Sequence, residues 1–530
     1  MIKKEYRDCF KNISINLGLI CLVYLYMLAN FWWGNHDWGY LKDGASIQSG
    51  LFEARYSQHL FTILFLDGHV LPVFAFLSGF ICIIAQAILI EKYLKLPKNA
   101  WFFISLFIAF NPHIYALFYY VYLFFPFMAW GLFGILLLVF IEKRFSFFRF
   151  FVGVLGFILL LGSYPPNLAF IFVLFVTKRL FEYLYDNESI KDSIKHTSIL
   201  GLEFLVSAIG YKGVFNYLIK AHLINTDMYN IKTKGVFEIL HTLPSEVGQS
   251  FLQLFHQFSF MGWWYLLPLA IIVITAVVIA FLKSKNKVYA IFCLGALFLA
   301  SRFAFLLSYH PEFAVFRLMY WGRLGIYIFG LSLLFKEKEK ITKNILFFML
   351  LCVGCCFVAT NLYIQKVQNL GFVAGRMYQK SLVETVEKHE AFDKKSQYIS
   401  LNLGQPNFRK KFYEDKYNTG ELVELNLVFE FDVANFLFWE DEKSPVIIGA
   451  GVSGRDILRV DRGGGDKWRD MRYWRNNPEN MENIRYWLYT SARPYPHENS
   501  IYIDDKYLLL ILDSYDFYNY RELVAMGLDR

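Results

Sequence analysis

Charge is scarce in this chain: Asp, Glu, Lys and Arg make up 18% of 530 residues, whereas an ordinary soluble domain is nearer about a quarter charged. That shortage argues against a purely cytosolic protein. Cysteine is rarer still. Cys9, Cys21, Cys82, Cys293, Cys352, Cys355 and Cys356 are the seven present, so no disulfide framework holds the long C-terminal segment. Cys352 and Cys355 have CxxC spacing but sit in an apolar run without neighbouring His or acidic ligands, and packing is their expected use. Glycine, at 34 residues, and cysteine, at 7, are too few for a collagen-like chain or a disulfide scaffold. No internal repeat is visible, which weakens the case for a transporter built from duplicated halves.

What is there is apolar and aromatic, with 56% hydrophobic residues, 19% aromatic residues and 56 Phe. This excess excludes a disordered chain and leaves an integral membrane protein. A bilayer core of about 30 Å needs about 20 apolar residues in helical form. Runs of this kind occupy 14–33, 70–90, 100–118, 121–141, 150–163, 166–177, 197–218, 263–282, 288–308, 318–335 and 343–362. They predict a polytopic α-helical protein with about eleven transmembrane helices. The first run continues into Phe31, Trp32 and Trp33 without a small-residue cleavage site, so it is expected to be retained.

The net charge of +8 is read as a topology signal, because basic residues gather between the apolar runs. With the N-terminus cytoplasmic, the clusters Lys3 to Lys11, Lys92 to Lys98, Lys143 to Arg149, Lys178 and Arg179, Lys283 to Lys287 and Lys336 to Lys340 all fall inside. Eleven spans then divide the chain into a transmembrane part, 1–363, with outer loops 34–69 and 219–262, and an extracytoplasmic α/β domain, 364–530. In that last part Arg462-Gly463-Gly464-Gly465-Asp466 reads as a turn, and Ile501 to Asp504 alternates like a strand. Trp468, Arg469, Arg472, Tyr473, Trp474 and Arg475 interleave aromatic and charged groups, fitting either an interface or a sugar-stacking surface.

The first outer loop holds the most chemistry. Gly34-Asn35-His36-Asp37-Trp38-Gly39-Tyr40 puts a carboxylate among aromatic faces directly after a span, either as a helix cap or as a base beside a stacked sugar. Asp43, Glu53, Arg55, Gln58, His59 and Asp67-Gly68-His69 follow, and together they predict a polar cavity at the outer interface. Ser163-Tyr164-Pro165-Pro166-Asn167 interrupts an apolar stretch as a turn or as a cavity wall. Tyr309-His310-Pro311-Glu312, Arg317, Arg323 and Arg302 lie near the outer ends of late spans. Arginine there pairs with a carboxylate, snorkels to headgroups or meets a phosphate. Val236, Ile239 and Leu240 mark an amphipathic helix on the outer interface, near His241, His256, Trp263 and Trp264.

The order of a span, Asn-His-Asp-Trp at 35–38, Ala-Arg-Tyr-Ser at 54–57 and a second span resembles the start of the Gtr-type serotype-converting glucosyltransferases. Asp37 with Trp38 and Arg55 with Tyr56 match that family's pattern, while His36 stands where it commonly has a first acid. Phe110-Asn111-Pro112, Tyr119-Tyr120, Tyr164 to Asn167, and Pro311, Glu312 and Arg317 resemble later segments.

The resemblance implies a GT-C-like helix bundle that moves a sugar from a polyprenyl-phosphate donor to a cell-surface glycan or lipid-linked acceptor, of O-antigen or lipopolysaccharide type, outside a bacterial inner membrane. It implies an inverting transfer with Asp37 as base and Glu53 or Asp43 next in line. Arg317, then Arg55 and Arg302, would hold the donor phosphate, and His36, Trp38, Tyr40, Tyr164 and His310 the sugar or acceptor. Asp37, Asp43 and Glu53 could share a divalent cation, but their spacing fixes no geometry, and neither another cofactor nor nucleic acid is expected. Polar groups concentrated at one face weigh against a lipid-linked oligosaccharide transporter, and a signal strongest in the first loop, not in a large mid-chain outer loop, weighs against an O-antigen polymerase or ligase.

Overall fold

The computed structural model describes residues 2–29, 44–47, 51, 55–69, 71–118, 121–142, 145–221, 223, 236–254, 266–307, 315–337, 340–392, 399–403, 447–448, 486–487, 490–493, 496–504 and 507–511. The chain divides into two compact units, Met1–Lys366 and Val367–Arg530.

The first unit is helical. Its elements are α1 (Ile2–Val23), α2 (Leu25–Ala29), α3 (Leu60–Leu66), α4 (Pro72–Tyr93), α5 (Ala100–Phe110), α6 (Tyr115–Phe118), α7 (Val121–Ile141) and α8 (Phe147–Leu161). Then come α9 (Asn167–Tyr185), α10 (Ile190–Lys220), α11 (Val236–Leu252), α12 (Leu266–Lys283), α13 (Lys287–Ser301), α14 (Phe303–Leu307), α15 (Val315–Lys336) and α16 (Lys340–Glu387), which runs into the second unit. Local chemistry sets their starts: Pro72 opens α4, Ser146 Oγ accepts from Arg149 N at the start of α8, and Asn286 Oδ1 accepts from Tyr289 N at the start of α13.

Among the described residues, four helical stretches are long and apolar enough to cross a membrane: Pro72–Tyr93, Val121–Ile141, Ile190–Lys220 and Phe347–Lys366. Shorter apolar helices fill much of the rest. Among the described residues, three of the eleven expected runs are not single helices. The run 14–33 divides at Tyr24, between α1 and α2. The run 100–118 breaks at Asn111, where the following Pro112 disfavours helical backbone and a 3-10 turn, Pro112–Ile114, leads into α6. The run 288–308 breaks at Arg302, between α13 and α14.

The bundle is polar inside and apolar outside at several places, as lipid requires. On α11 and the residue after it, Glu246, Ser250 and Gln253 are buried while Phe237, Leu240, Phe251 and Leu252 are exposed. On α10, Glu203 and Ser207 face α8: Glu203 pairs with Arg149, and Ser207 Oγ donates to Val154 O at 3.0 Å. Arg149 Nε also donates to Ile141 O at 2.8 Å, capping the C-terminal end of α7.

The links expected to be cytoplasmic meet one another. Lys95 pairs with Asp186 at 2.7 Å, Lys178 and Arg179 with Glu142 at 3.3 and 2.8 Å, and Lys283 with Glu337 at 2.7 Å.

In the second unit, β1 (Ile399–Leu403), β2 (Ile447–Ile448), β3 (Ile501–Ile503) and β4 (Tyr507–Ile511) form one sheet in the order β2-β1-β4-β3. β1 runs parallel to β2 and to β4, while β3 and β4 are antiparallel. Ile501 and Ile503 are buried on either side of Tyr502, as their alternation predicts. The glycine turn at 462–466 and the aromatic and basic run at 468–475 lie outside the described residues.

Candidate functional site

In the 34–69 segment, expected to face outward, Arg55, Tyr56, Ser57, Gln58 and His59 precede α3 and bond to the bundle. A helix C-terminus leaves carbonyl groups without helical partners, and this segment bonds to those of α8. Tyr56 Oη donates to Ile158 O at 2.9 Å, Ser57 Oγ to Leu159 O at 2.6 Å and Ser57 N to Gly162 O at 2.9 Å. The absence of a side chain at Gly162 is what admits the Tyr56 ring: a Cβ there would come within 2.4 Å of its Cζ. Burial pushes the Tyr56 phenol above its ordinary range, so it remains a donor. Its ring also stacks on Tyr211, one turn beyond Ser207 on α10, at 6.0 Å between centroids.

A second tie closes the loop on itself. Ala45 N donates to Gly68 O at 2.6 Å. Asp67 and Gly68 take left-handed backbone at φ 51° and 79°, ending α3.

The side chains of Arg55, Gln58 and His59 form a polar nest. Arg55 Nη1 donates to Gln58 Oε1 at 3.2 Å, and its guanidinium sits 5.4 Å from the centre of the Tyr164 ring. Tyr164 is stacked on Phe127 at 4.0 Å, and Asn167 Nδ2 donates to Phe127 O at 3.2 Å. Gln58 Nε2 lies 3.1 Å from His59 Nε2, and Gln58 O accepts from Trp130 Nε1 at 3.3 Å. His59 stacks on Tyr122 and is 1% exposed. Burial, reinforced by the Arg55 charge, lowers its pKa to about 4, so the ring is neutral at pH 7 and the charge at this spot belongs to Arg55.

Of the residues singled out from sequence, the structure thus brings Arg55 and Tyr164 together. Tyr164 is buried, so the Tyr-Pro-Pro-Asn break serves as a packed turn that also backs Arg55. Arg302 is elsewhere engaged: its Nε donates to Glu246 Oε2 at 2.9 Å, and its guanidinium lies 3.7 Å from the centre of the Phe305 ring. Arg317 falls in the first turn of α15. His36, Asp37, Trp38, Tyr40, Asp43, Glu53 and His310 lie outside the described residues, as do His256, Trp263 and Trp264.

Two buried polar groups, His113 and Glu246, are not among the residues the sequence singles out. His113 follows the Asn111-Pro112 break and meets Arg323 of α15 at 3.0 Å. Glu246 is the carboxylate partner of Arg302. It could have been found from the spacing of Glu246, Ser250 and Gln253, a polar stripe of helical period in an apolar stretch. Gln58, noted only as one polar residue among several, ties Arg55 to His59. Among the described residues no group of three or more His, Cys, Asp or Glu side chains could hold a metal ion.

No curated protein and no solved structure matches this chain. The glucosyl transferase GtrII family matches residues 45–329, more than half of the chain. The matched span takes in Glu53, Arg55, Tyr164, Arg302, His310 and Arg317 and begins after the His36 to Tyr40 segment. Apolar helices, a polar nest tied to their ends and this match lead to one conclusion: the chain belongs to the glucosyl transferase GtrII family of membrane glycosyltransferases.

Proposed function

We propose that this protein transfers a sugar, with inversion, from a polyprenyl-phosphate donor to a cell-surface glycan or lipid-linked acceptor at the outer face of a bacterial inner membrane. In this reading about eleven helices of a GT-C-like bundle cross the membrane from a cytoplasmic N-terminus. The paired basic links around Glu142, Arg179 and Glu337 lie inside, and the Arg55 nest and the C-terminal unit lie outside.

The reaction has two electrostatic demands. As the acceptor hydroxyl attacks the anomeric carbon its proton goes to a carboxylate, for which Asp37 is assigned and Glu53 is the next choice. As the bond from that carbon to the phosphate oxygen breaks, the electron pair leaves with the lipid phosphate, whose added charge calls for fixed cationic donors. Arg55 and Arg317 are assigned to it. Arg302 serves it only by exchanging the Glu246 carboxylate for a phosphate, so it comes third. His36, Trp38, Tyr40 and His310 are assigned to the sugar or acceptor, with Tyr164 behind Arg55.

The observation that carries the reading is the Arg55 guanidinium, held between the Gln58 amide and the Tyr164 ring beside a histidine kept neutral. The test supplies the purified full chain in detergent with a synthetic polyprenyl-phosphate glucose or with UDP-glucose, together with lipid-linked glycan acceptors. Transfer from the lipid donor alone, with inverted anomeric configuration in the product, is the expected result. Transfer from UDP-glucose contradicts it. So does movement of a lipid-linked oligosaccharide across proteoliposomes without any transfer, which is the transporter reading.

A further inference from the structure

We propose that Gln58 is a positioning residue of this site, its side-chain amide helping to fix the direction in which Arg55 presents its guanidinium to the anionic group of the donor. The inference rests on the reading that Arg55 meets the donor phosphate.

The geometry is a relay with one consistent direction. A guanidinium has only donors, so the Gln58 atom 3.2 Å from Arg55 Nη1 is necessarily the carbonyl oxygen. That choice turns the amide nitrogen toward His59, 3.1 Å from Nε2. An amide NH2 only donates, so His59 Nε2 accepts, and the neutral ring carries its hydrogen on Nδ1. The main chain of Gln58 is pinned as well, because Trp130 of α7 donates to its carbonyl. Gln58 is fully buried, and the ring on its far side is packed on Tyr122.

An arginine on a loop has several rotatable bonds, and orienting its flat fork in advance lowers the entropy lost when it grips a phosphate. Tyr164 supports the guanidinium through the face of its ring. Gln58 gives it a hydrogen-bond direction, and it transmits to Arg55 the rigidity of the α7 surface, to which Trp130 ties it.

The test is a double-mutant cycle on the full chain in detergent, reading the equilibrium dissociation constant for synthetic polyprenyl-phosphate glucose. Its lipid tail keeps binding measurable when the phosphate contact is weakened. Gln58→Met is expected to weaken binding about tenfold in the native background and less than twofold in the Arg55→Ala background. Equal losses in the two backgrounds would mean that Gln58 acts through packing alone, and would overturn the inference. So would native affinity in Gln58→Met. If Arg55→Ala itself binds as tightly as the native chain, the assignment of Arg55 to the phosphate fails and the inference with it. Should Gln58→Met not fold, as judged by thermal unfolding, Gln58→Glu puts a carboxylate on Arg55 in the same space. The affinity it loses must again vanish with Arg55→Ala; a loss that persists overturns the inference.

Discussion

Arg323 Nη1 lies 3.0 Å from His113 Nε2, joining residues 210 positions apart in the chain. Asn111 Oδ1 accepts from both the backbone nitrogen and Nδ1 of His113, at 3.2 and 3.0 Å, so the ring hydrogen is on Nδ1 and Nε2 is the acceptor for the guanidinium. The helix break before α6 and the central helix α15 are therefore locked together by a neutral ring and a cation, both buried. His113→Leu removes an acceptor from a buried charge and is expected to cost about 1.5 to 3 kcal/mol. A lower melting temperature in detergent, not restored by Arg323→Lys in the same chain, checks this.

Glu246 and Arg302 form a buried ion pair across α11 and the α13–α14 break. Removing one partner strands the other, whereas replacing both does not. Glu246→Ala is expected to destabilise by about 3 to 5 kcal/mol, and adding Arg302→Met to recover most of it. Thermal unfolding of the single and double variants measures the difference.

Gly322 and Gly162 separate two kinds of close approach. A Cβ at Gly322 would lie 1.9 Å from Ser301 O, a backbone atom, so Gly322→Ala must part α13 from α15, at a cost of about 3 kcal/mol. At Gly162 the obstacle is the Tyr56 ring, which can swing away. Gly162→Ala is therefore expected to melt closer to the native chain yet to lower kcat/KM about tenfold, because Tyr56 carries the neighbouring Arg55 with it. Unfolding and steady-state transfer measured on both variants test the contrast.

The pH dependence of stability should show His59. Its pKa is about 4 when folded, against an ordinary value of 6.5. Between these values the unfolded chain binds a proton that the folded chain refuses, so this contribution is complete above pH 6.5 and is lost as the pH falls toward 4. The full shift corresponds to about 3 kcal/mol. His59→Phe is expected to flatten the fall in melting temperature over that window; an unchanged slope would place the titration elsewhere.

The legible part of the fold is what the bilayer imposes. The apolar runs at 70–90, 121–141 and 197–218 fall on α4, α7 and α10, because uninterrupted apolar helical runs leave few alternatives. Composition could not show where a run breaks inside the bundle. Asn111 stops α5 because Pro112 follows it, and Arg302 stops α13 where Glu246 waits on a helix some fifty residues earlier. In the site, Arg55 was legible in a loop crowded with titratable groups between two apolar runs, and Tyr164 in a proline break of an apolar stretch. Gln58 was legible only as one polar residue of that loop and His113 not at all, because what holds them comes from long-range partners, Trp130 in one case and Arg323 in the other.

The central claim is transfer from a lipid-linked donor by a single carboxylate base, and Asp37→Asn tests it most directly. The variant, shown by thermal unfolding to be folded, is assayed for sugar transfer from polyprenyl-phosphate glucose with donor binding measured in parallel. Donor binding within about threefold of native and a fall in kcat of about 100-fold or more, from the lower end upward of what general-base catalysis contributes, are the expected results. Native turnover by Asp37→Asn would contradict the assignment of Asp37 and pass the role to Glu53 or Asp43.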